Sequence, residues 1–435
     1  MASGSCQNHL RKRVAVVRTL VAVVRTLVAV VRTLVAVLPK PDQPILNSLR
    51  EILESSPQLR DLGMHTLRDD EAPQPLAPAR WDWQTVERVL VVRLRSIGDT
   101  VLCTPSLFAL KRFLPHASVD ILLEDWVAPV LDGFPHVDKI IGLERKSNSS
   151  RAWVAHQLRA NRYDVVYNLH GGTTATLIAR ATGAKHRVGY ETYQYARLHN
   201  HLAPSSASLW GRDKTHSVEQ QLALLGWTGV PVSDRPATQL AVTKTASLNI
   251  AARLKAVGLE DARRAQLAVI HPAAAFATKQ WATENFARVA EQLAAQNLKV
   301  VVITAANQVQ IADELKRKTA APVVAFTDLY LPEITALLAR ARLFLGNDSG
   351  IAHMAAAVQT PSVVIFGSSN TAHWRPWVSQ TAVAEVVLEE MECQPCHGYF
   401  CEKFAEPECI KRVPIERVIA ATDRVLRESS PRSGR

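Results

Sequence analysis

From residue 88 onward, short runs rich in Val, Ile and Leu alternate with longer stretches of helical period. The run at 88–94 is apolar and β-branched, Ser96-Ile97-Gly98-Asp99 breaks it, and a helical pattern continues to residue 113. Further runs follow at 119–123, 139–143 and 165–169, the last just before Gly171-Gly172. The alternation restarts at 267–271, with strands predicted at 299–304, 323–326, 343–345 and 362–366. Helices are predicted between them at 283–296, 309–318, 332–341 and 351–358. Uniformly apolar strands are the kind buried on both faces of a parallel sheet, and helices of this length suit the crossovers. Two such series predict an α/β protein of two doubly wound halves, with ligands in the cleft at the carboxyl ends of the strands. The halves are expected to span 83–244 and 245–412, with the join near Pro231 and Pro236. A C-terminal helix and tail, 413–435, is expected to pack back across that join.

The first 82 residues follow a different pattern. Residues 14–34 are three copies of Val-Ala-Val-Val-Arg-Thr-Leu, with a partial fourth reaching residue 38. In a strand an odd period would turn each copy onto the opposite face. In a helix Arg18, Arg25 and Arg32 drift only about 20° per heptad and form one basic stripe on an apolar cylinder. Such a helix suits an anionic membrane surface. The arginines oppose a bilayer span, and the missing small-residue cleavage site opposes a signal peptide. A duplication in the coding DNA, or a true start at Met64, accounts for the repeat equally well. Residues 39–82 are proline-rich around a polar helical stretch and read as linker, so the folded body is expected to begin near Trp83.

The length of 435 residues leaves room for two ordinary domains plus this extension. The net charge is +11, but seven of those charges lie in residues 1–40, which hold no Asp or Glu. The body is therefore only mildly basic, and binding of nucleic acid loses most of its support. Four of the six cysteines crowd into residues 393–409 rather than spreading through the chain like a secreted disulfide scaffold. A reducing, cytoplasmic setting is expected, peripheral at the inner membrane through the basic repeat.

Three stretches carry candidate chemistry. In Arg93-Leu94-Arg95-Ser96-Ile97-Gly98-Asp99 a strand turns into a helix, and a carboxylate there can accept a proton from an acceptor hydroxyl. It can equally be a helix cap. In Gly346-Asn347-Asp348-Ser349-Gly350-Ile351-Ala352-His353 a buried strand runs through a small-residue turn into a helix. The free backbone N–H groups of such a helix suit a diphosphate. In His271-Pro272, through a small-residue loop, to Lys279-Gln280-Trp281, the lysine can neutralise a phosphate as a point charge, though a loop lysine is ordinarily just solvated.

In this order and at these separations the three stretches resemble the signatures of the ADP-heptose:lipopolysaccharide heptosyltransferases, glycosyltransferase family nine, over residues 86–428. The resemblance implies a GT-B architecture, two Rossmann-like domains facing a central cleft, and inverting transfer of a sugar that requires no cofactor. It implies Asp99 as general base, Lys279 on the donor phosphates with Ser349 and Gly350, and Asp348 and His353 at the donor site. The N-terminal half is implied to hold the acceptor, an anionic glycolipid such as lipopolysaccharide core, with Arg93, Arg95, Lys111 and Arg112 available to meet it. The implied donor is ADP-heptose. Ala305-Ala306-Asn307-Gln308 stands where the family carries a Gly-rich turn and a Glu near the nucleoside, which keeps another nucleotide sugar as an alternative. A non-catalytic GT-B-like protein, tethered to membrane by the basic helix, is the alternative of another class. Finally, Cys393, Cys396, Cys401 and Cys409 suit a tetrahedral structural zinc, with free thiols or a disulfide pair as the other readings.

Overall fold

The computed structural model describes residues 72–260, 266–396 and 400–429. The heptad repeat and the membrane-surface reading attached to it lie outside the described residues. The first sheet contains β1 (Arg88–Val92), β2 (Ser118–Glu124), β3 (Lys139–Leu143), β4 (Val165–Asn168), β5 (His186–Tyr190) and β6 (His201–Ala203). All its pairs are parallel, in the order β3-β2-β1-β4-β5-β6. The second contains β7 (Leu267–His271), β8 (Lys299–Ile303), β9 (Val323–Phe326), β10 (Leu343–Asn347), β11 (Ser362–Phe366) and β12 (Ala384–Leu388). It is also wholly parallel, in the order β12-β11-β10-β7-β8-β9. The longer helices are α1 (Ile97–Phe113), α2 (Asn148–Ala160), α3 (Thr173–Ala181), α4 (Ser217–Gly226), α5 (Lys244–Ala256), α6 (Thr283–Ala295), α7 (Val309–Lys318), α8 (Leu331–Arg340), α9 (Gly350–Ala357) and α10 (Ile415–Glu428). The two doubly wound α/β halves are as expected.

Each sheet reverses its strand order at one place, between β1 and β4 and between β7 and β10. Crossovers leave a crevice at such a switch point, outside the carboxyl ends of the strands. Three of the four strands that flank the two switch points run directly into the three candidate stretches.

Strand β1 is apolar on both faces, and both are buried. Val89 and Val91 pack with Val101 and Leu107 of α1, while Leu90 and Val92 pack on the other face with Leu158 and Val166. The first of these apolar clusters continues into the second half through Ile351, Ala352, Met354 and Ala355 of α9. Helix α1 carries Pro105 in its interior, which removes the N–H that Val101 O would otherwise accept. The Thr104 hydroxyl donates to that carbonyl instead, at 2.7 Å, so the helix continues.

Two expectations are corrected. The body does not start at Trp83: Leu76 N and Ala77 N donate to Gly226 O at 3.0 and 3.1 Å, and Arg80 lies 4.1 Å above the Trp227 ring. The part of the supposed linker from Pro73 onward is therefore packed structure, because its few apolar side chains find the end of α4. Helix α10 does not cross to the first half either. Val418, Ala421 and Val425 pack against Leu293, Val363 and Ile365, all in the second half. Helix α5 is tied to the second half: Arg253 pairs with Asp328 at 2.9 Å and Arg340 Nη2 donates to Ser247 O at 3.1 Å.

Candidate functional site

Asp99 lies in the first turn of α1, whose cap is Ser96. Ser96 N and Ser96 Oγ both donate to Asp99 Oδ2, each at 3.1 Å, so the carboxylate completes a capping box. Its other oxygen pairs with the Arg93 guanidinium, which also donates to Leu169 O. Arg93 is buried at the carboxyl end of β1, so this ion pair is shielded. Burial pushes the Asp99 pKa up, but the Arg93 charge, the Ser96 hydrogen bonds and nearby His353 outweigh it. The net result is a carboxyl below its ordinary range, ionised at neutral pH. The capping reading and the functional reading thus describe one side chain.

On the facing half, Asp348 ends β10 and is ion-paired with Lys279 at 2.8 Å, while Ser369 Oγ donates to the same carboxylate at 2.5 Å. The loop bearing Lys279 is held by Asn347, whose Nδ2 donates to Pro272 O at 2.8 Å and whose Oδ1 accepts from Trp281 N at 3.1 Å. Gly367 lets the loops close, since a Cβ there would lie 2.2 Å from Thr278 O. Helix α9 starts at Gly350 with no side chain capping its first N–H groups. Ser349 Oγ and His353 Nδ1 are buried without hydrogen-bond partners among the described residues. A helix N-terminus with uncapped donors beside an ammonium group is an anion site. Burial drives the His353 pKa down, and Lys279 adds to this against the opposing pull of Asp348 and Asp99, so the imidazole is neutral at pH 7.

Two glycines bring these turns together. A Cβ on Gly98 would lie 2.7 Å from His353 Cδ2, and one on Gly350 would lie 2.7 Å from Ile97 Cβ. The His353 ring lies against Gly98 and the Ile97 side chain against Gly350, which leaves no room for a side chain on either glycine. Asp99 therefore faces the Asp348–His353 turn across a seam between the halves.

Beside Asp99 opens a cavity of about 460 Å³ lined by Arg93, His170, Tyr193, Gln221 and, from the second half, His373 and Trp374. Of the four expected acceptor cations, Arg93 lines this cavity and Arg95 lines a neighbouring one. Lys111 and Arg112 line neither. They sit at the far end of α1, about 18 Å along its axis from Asp99, paired with Asp138 at 2.8 Å and Asp234 at 2.7 Å. His170 and Gln221 were not legible as site residues; the one signal was the Gly171-Gly172 break after β4.

Cys393, Cys396, Cys401 and Cys409 are free thiols, and burial together with the neighbouring thiols raises the pKa of Cys396 and Cys409. Among the described residues, however, no three His, Cys, Asp or Glu side chains are gathered so as to hold a metal ion.

Known proteins resemble this chain in sequence and fold. Residues 151–403 match the model of glycosyltransferase family 9 (heptosyltransferase). The chain is 28% identical over 357 residues to lipopolysaccharide heptosyltransferase 3 of Escherichia coli K12, covering 79% of this chain and 99% of that protein. Its fold is similar to the family 9 glycosyltransferase of Veillonella parvula, with TM-score 0.67 and 21% identity over 79% of this chain and 98% of the other. It is also similar to E. coli ADP-heptose lps heptosyltransferase II, with TM-score 0.65 and 22% identity over 79% and 100%. The non-catalytic alternative falls away: this chain belongs to glycosyltransferase family 9, the heptosyltransferases, and is an enzyme of that family.

Proposed function

We propose that the protein transfers heptose, with inversion, from ADP-heptose to a lipopolysaccharide-core glycolipid, with Asp99 as the general base. The seam carries this reading: a carboxylate ionised at neutral pH on one half stands opposite an ammonium group and an uncapped helix N-terminus on the other. Inverting displacement needs those two elements on opposite sides of one carbon, a base for the incoming oxygen and positive charge for the departing diphosphate. In this reading Lys279, Ser349 and Gly350 hold the diphosphate, Asp348 and His353 complete the donor site, and the Asp99 cavity receives the acceptor sugar. No metal enters the step. The names of the relatives point to ADP-heptose and lipopolysaccharide.

The test pairs two variants. Asp99→Asn keeps the shape but removes the basicity, so turnover should fall by about 10²-fold or more while ADP affinity stays near wild type. Lys279→Ala should weaken ADP binding visibly. Near wild-type turnover by a folded Asp99→Asn would reduce Asp99 to a cap. A panel of nucleotide sugars decides whether the 305–308 turn still selects ADP-heptose.

A further inference from the structure

The cavity beside Asp99 is built mainly by the first half, yet His373 and Trp374 reach it from the second. Among the described residues its wall carries two charged side chains, Arg93 and Asp99, and these neutralise each other. His170 is neutral as well, since burial pushes its pKa down to about 4. On the same wall Gln221 Oε1 is buried with no hydrogen-bond partner among the described residues. A neutral cavity with waiting polar atoms and aromatic side chains suits an uncharged, polyhydroxylated ring. Such a ring is held by hydrogen bonds to its hydroxyls and by apolar contact with its C–H faces.

Both second-half residues sit in the one-turn helix Thr371–Trp374, and the segment around it is anchored on both sides. Toward the donor turn, Ser369 Oγ donates to Asp348 and Ser368 N donates to Thr278 O at 3.2 Å. Toward the first half, Thr238 Oγ1 donates to Trp377 O at 2.6 Å and Trp377 Nε1 donates to Pro236 O at 3.0 Å. Between these anchors His373 Nδ1 lies 3.0 Å from Thr215 O. A carbonyl only accepts, so Nδ1 carries the proton. Burial holds the imidazole pKa below its ordinary value, and Arg93 adds to this against the opposing pull of Thr215 and Asp99, so the ring is neutral at pH 7. Its Nε2 therefore keeps a lone pair, and that atom has no hydrogen bond among the described residues. The Trp374 indole stands edge-on to the imidazole, with centroids 4.4 Å apart, and its Nε1 has no hydrogen bond there either. Holding the halves together does not call for these two groups. His216, Thr238 and Trp377 already make that join, and none of them lines the cavity.

We propose that His373 and Trp374 are acceptor-binding residues contributed by the second half: His373 Nε2 accepts from a hydroxyl of the acceptor sugar, and the Trp374 indole packs against a face of its ring. The proposal rests on the transferase reading above and deepens it. Both halves then grip the acceptor, and its attacking hydroxyl is aligned on Asp99 only while the donor-carrying half is docked on the first.

The test measures transfer from saturating ADP-heptose to purified lipopolysaccharide core by the full-length protein, with ADP affinity read by calorimetry. Asparagine places its amide where histidine has Nδ1, so His373→Asn keeps a donor for Thr215 O and removes Nε2. Its acceptor KM should rise about five- to tenfold, the scale of one hydrogen bond, while kcat and ADP affinity stay within about twofold of wild type. His373→Gln places an amide near the Nε2 position and should recover most of the acceptor KM. Trp374→Ala should raise that KM by about tenfold, the scale of a lost aromatic contact, and Trp374→Phe by far less. If Trp374→Ala does not fold, His373→Asn carries the decision. Wild-type acceptor KM in a folded His373→Asn overturns the proposal. So does a rise in KM matched by an equal loss of ADP affinity, because the segment would then act as a brace on Asp348 through Ser369. Both results leave the transferase reading standing. Failure of the wild type to move heptose onto any core overturns that reading, and the acceptor assignment with it.

Discussion

Gly350→Ala is the sharpest probe of how the two halves share one site. Its Cβ would meet Ile97 Cβ at 2.7 Å, Ile97 Cγ2 at 2.8 Å and Gly98 N at 3.0 Å. Carbon atoms pack best at about 3.5–4.0 Å, so α1 and α9 must part by about 1 Å; rotating Ile97 cannot remove the contact with Gly98 backbone. Overpacking of this kind costs about 1–3 kcal/mol, while alanine in a helix regains about 0.5–1 kcal/mol over glycine. A net loss of about 1–2 kcal/mol is expected in urea unfolding. Function should suffer more, since a 1 Å misplacement of reacting groups can cost about 10²-fold in rate. ADP binding should stay within a few-fold of wild type, because Lys279, Asp348 and the α9 N–H groups move together. ADP release during transfer and calorimetric ADP affinity separate the two effects. A folded Gly350→Ala whose turnover is within about threefold of wild type would refute the seam as the device that registers base against donor. Equal losses in turnover and ADP affinity would place the defect in the donor turn instead.

Three further outcomes follow from particular residues. His216 Nδ1 accepts from Val218 N at 3.1 Å and its Nε2 faces Arg375 O at 2.8 Å, and burial pushes its pKa down to about 3. Below its ordinary value of about 6.5 the unfolded chain takes a proton that the folded one refuses, so stability falls with falling pH. The expected loss is about 2 kcal/mol between pH 7 and pH 5, with a flatter profile in His216→Asn; parallel profiles exclude His216 as the cause. A structural zinc on the four clustered cysteines predicts about one zinc per chain in reductively purified protein. Metal-free protein with all four thiols titratable discards it. A membrane role for residues 11–38 predicts salt-sensitive sedimentation with anionic vesicles, abolished by deleting them; equal sedimentation of the truncated protein removes that role.

How much of this was legible in the sequence depended on burial. Strands β1 to β4, β7, β8, β10 and β11 are apolar nearly throughout, because helices cover both faces, and each announced itself as a run of Val, Ile and Leu. Strands β5, β6 and β12 gave no such signal. His186–Tyr190 begins with two half-buried polar residues, His201–Ala203 is three residues long, and Ala384–Leu388 is a half-covered edge. The same limit governs the site. Asp99 and the Asp348–His353 turn could be read because each is a local strand-to-helix transition. Lys111 and Arg112 lie away from the Asp99 cavity because nearness in sequence to Asp99 becomes, along a helix, separation by almost the whole of α1. His170 was missed because only the pairing of β4 beside β1 brings it to Asp99.

The Arg93–Asp99 pair sets a chemical condition on the proposed reaction. A carboxylate held below its ordinary pKa is a weak base, and a free alcohol will not surrender its proton to it. That is consistent with inversion only if proton transfer follows bond formation: as the acceptor oxygen closes on the anomeric carbon it gains positive character, and its proton becomes acidic enough for Asp99. Charge then has to be carried first at the other end, where the departing diphosphate gathers negative charge against Lys279 and the N–H groups of α9. On this account the halves divide the barrier unequally, with the second half stabilising the leaving group early and the first collecting the proton late. It also explains why Arg93 can stay paired with the base. By holding Asp99 ionised and oriented with Ser96, it fixes where the proton goes without needing a strong base to draw it there.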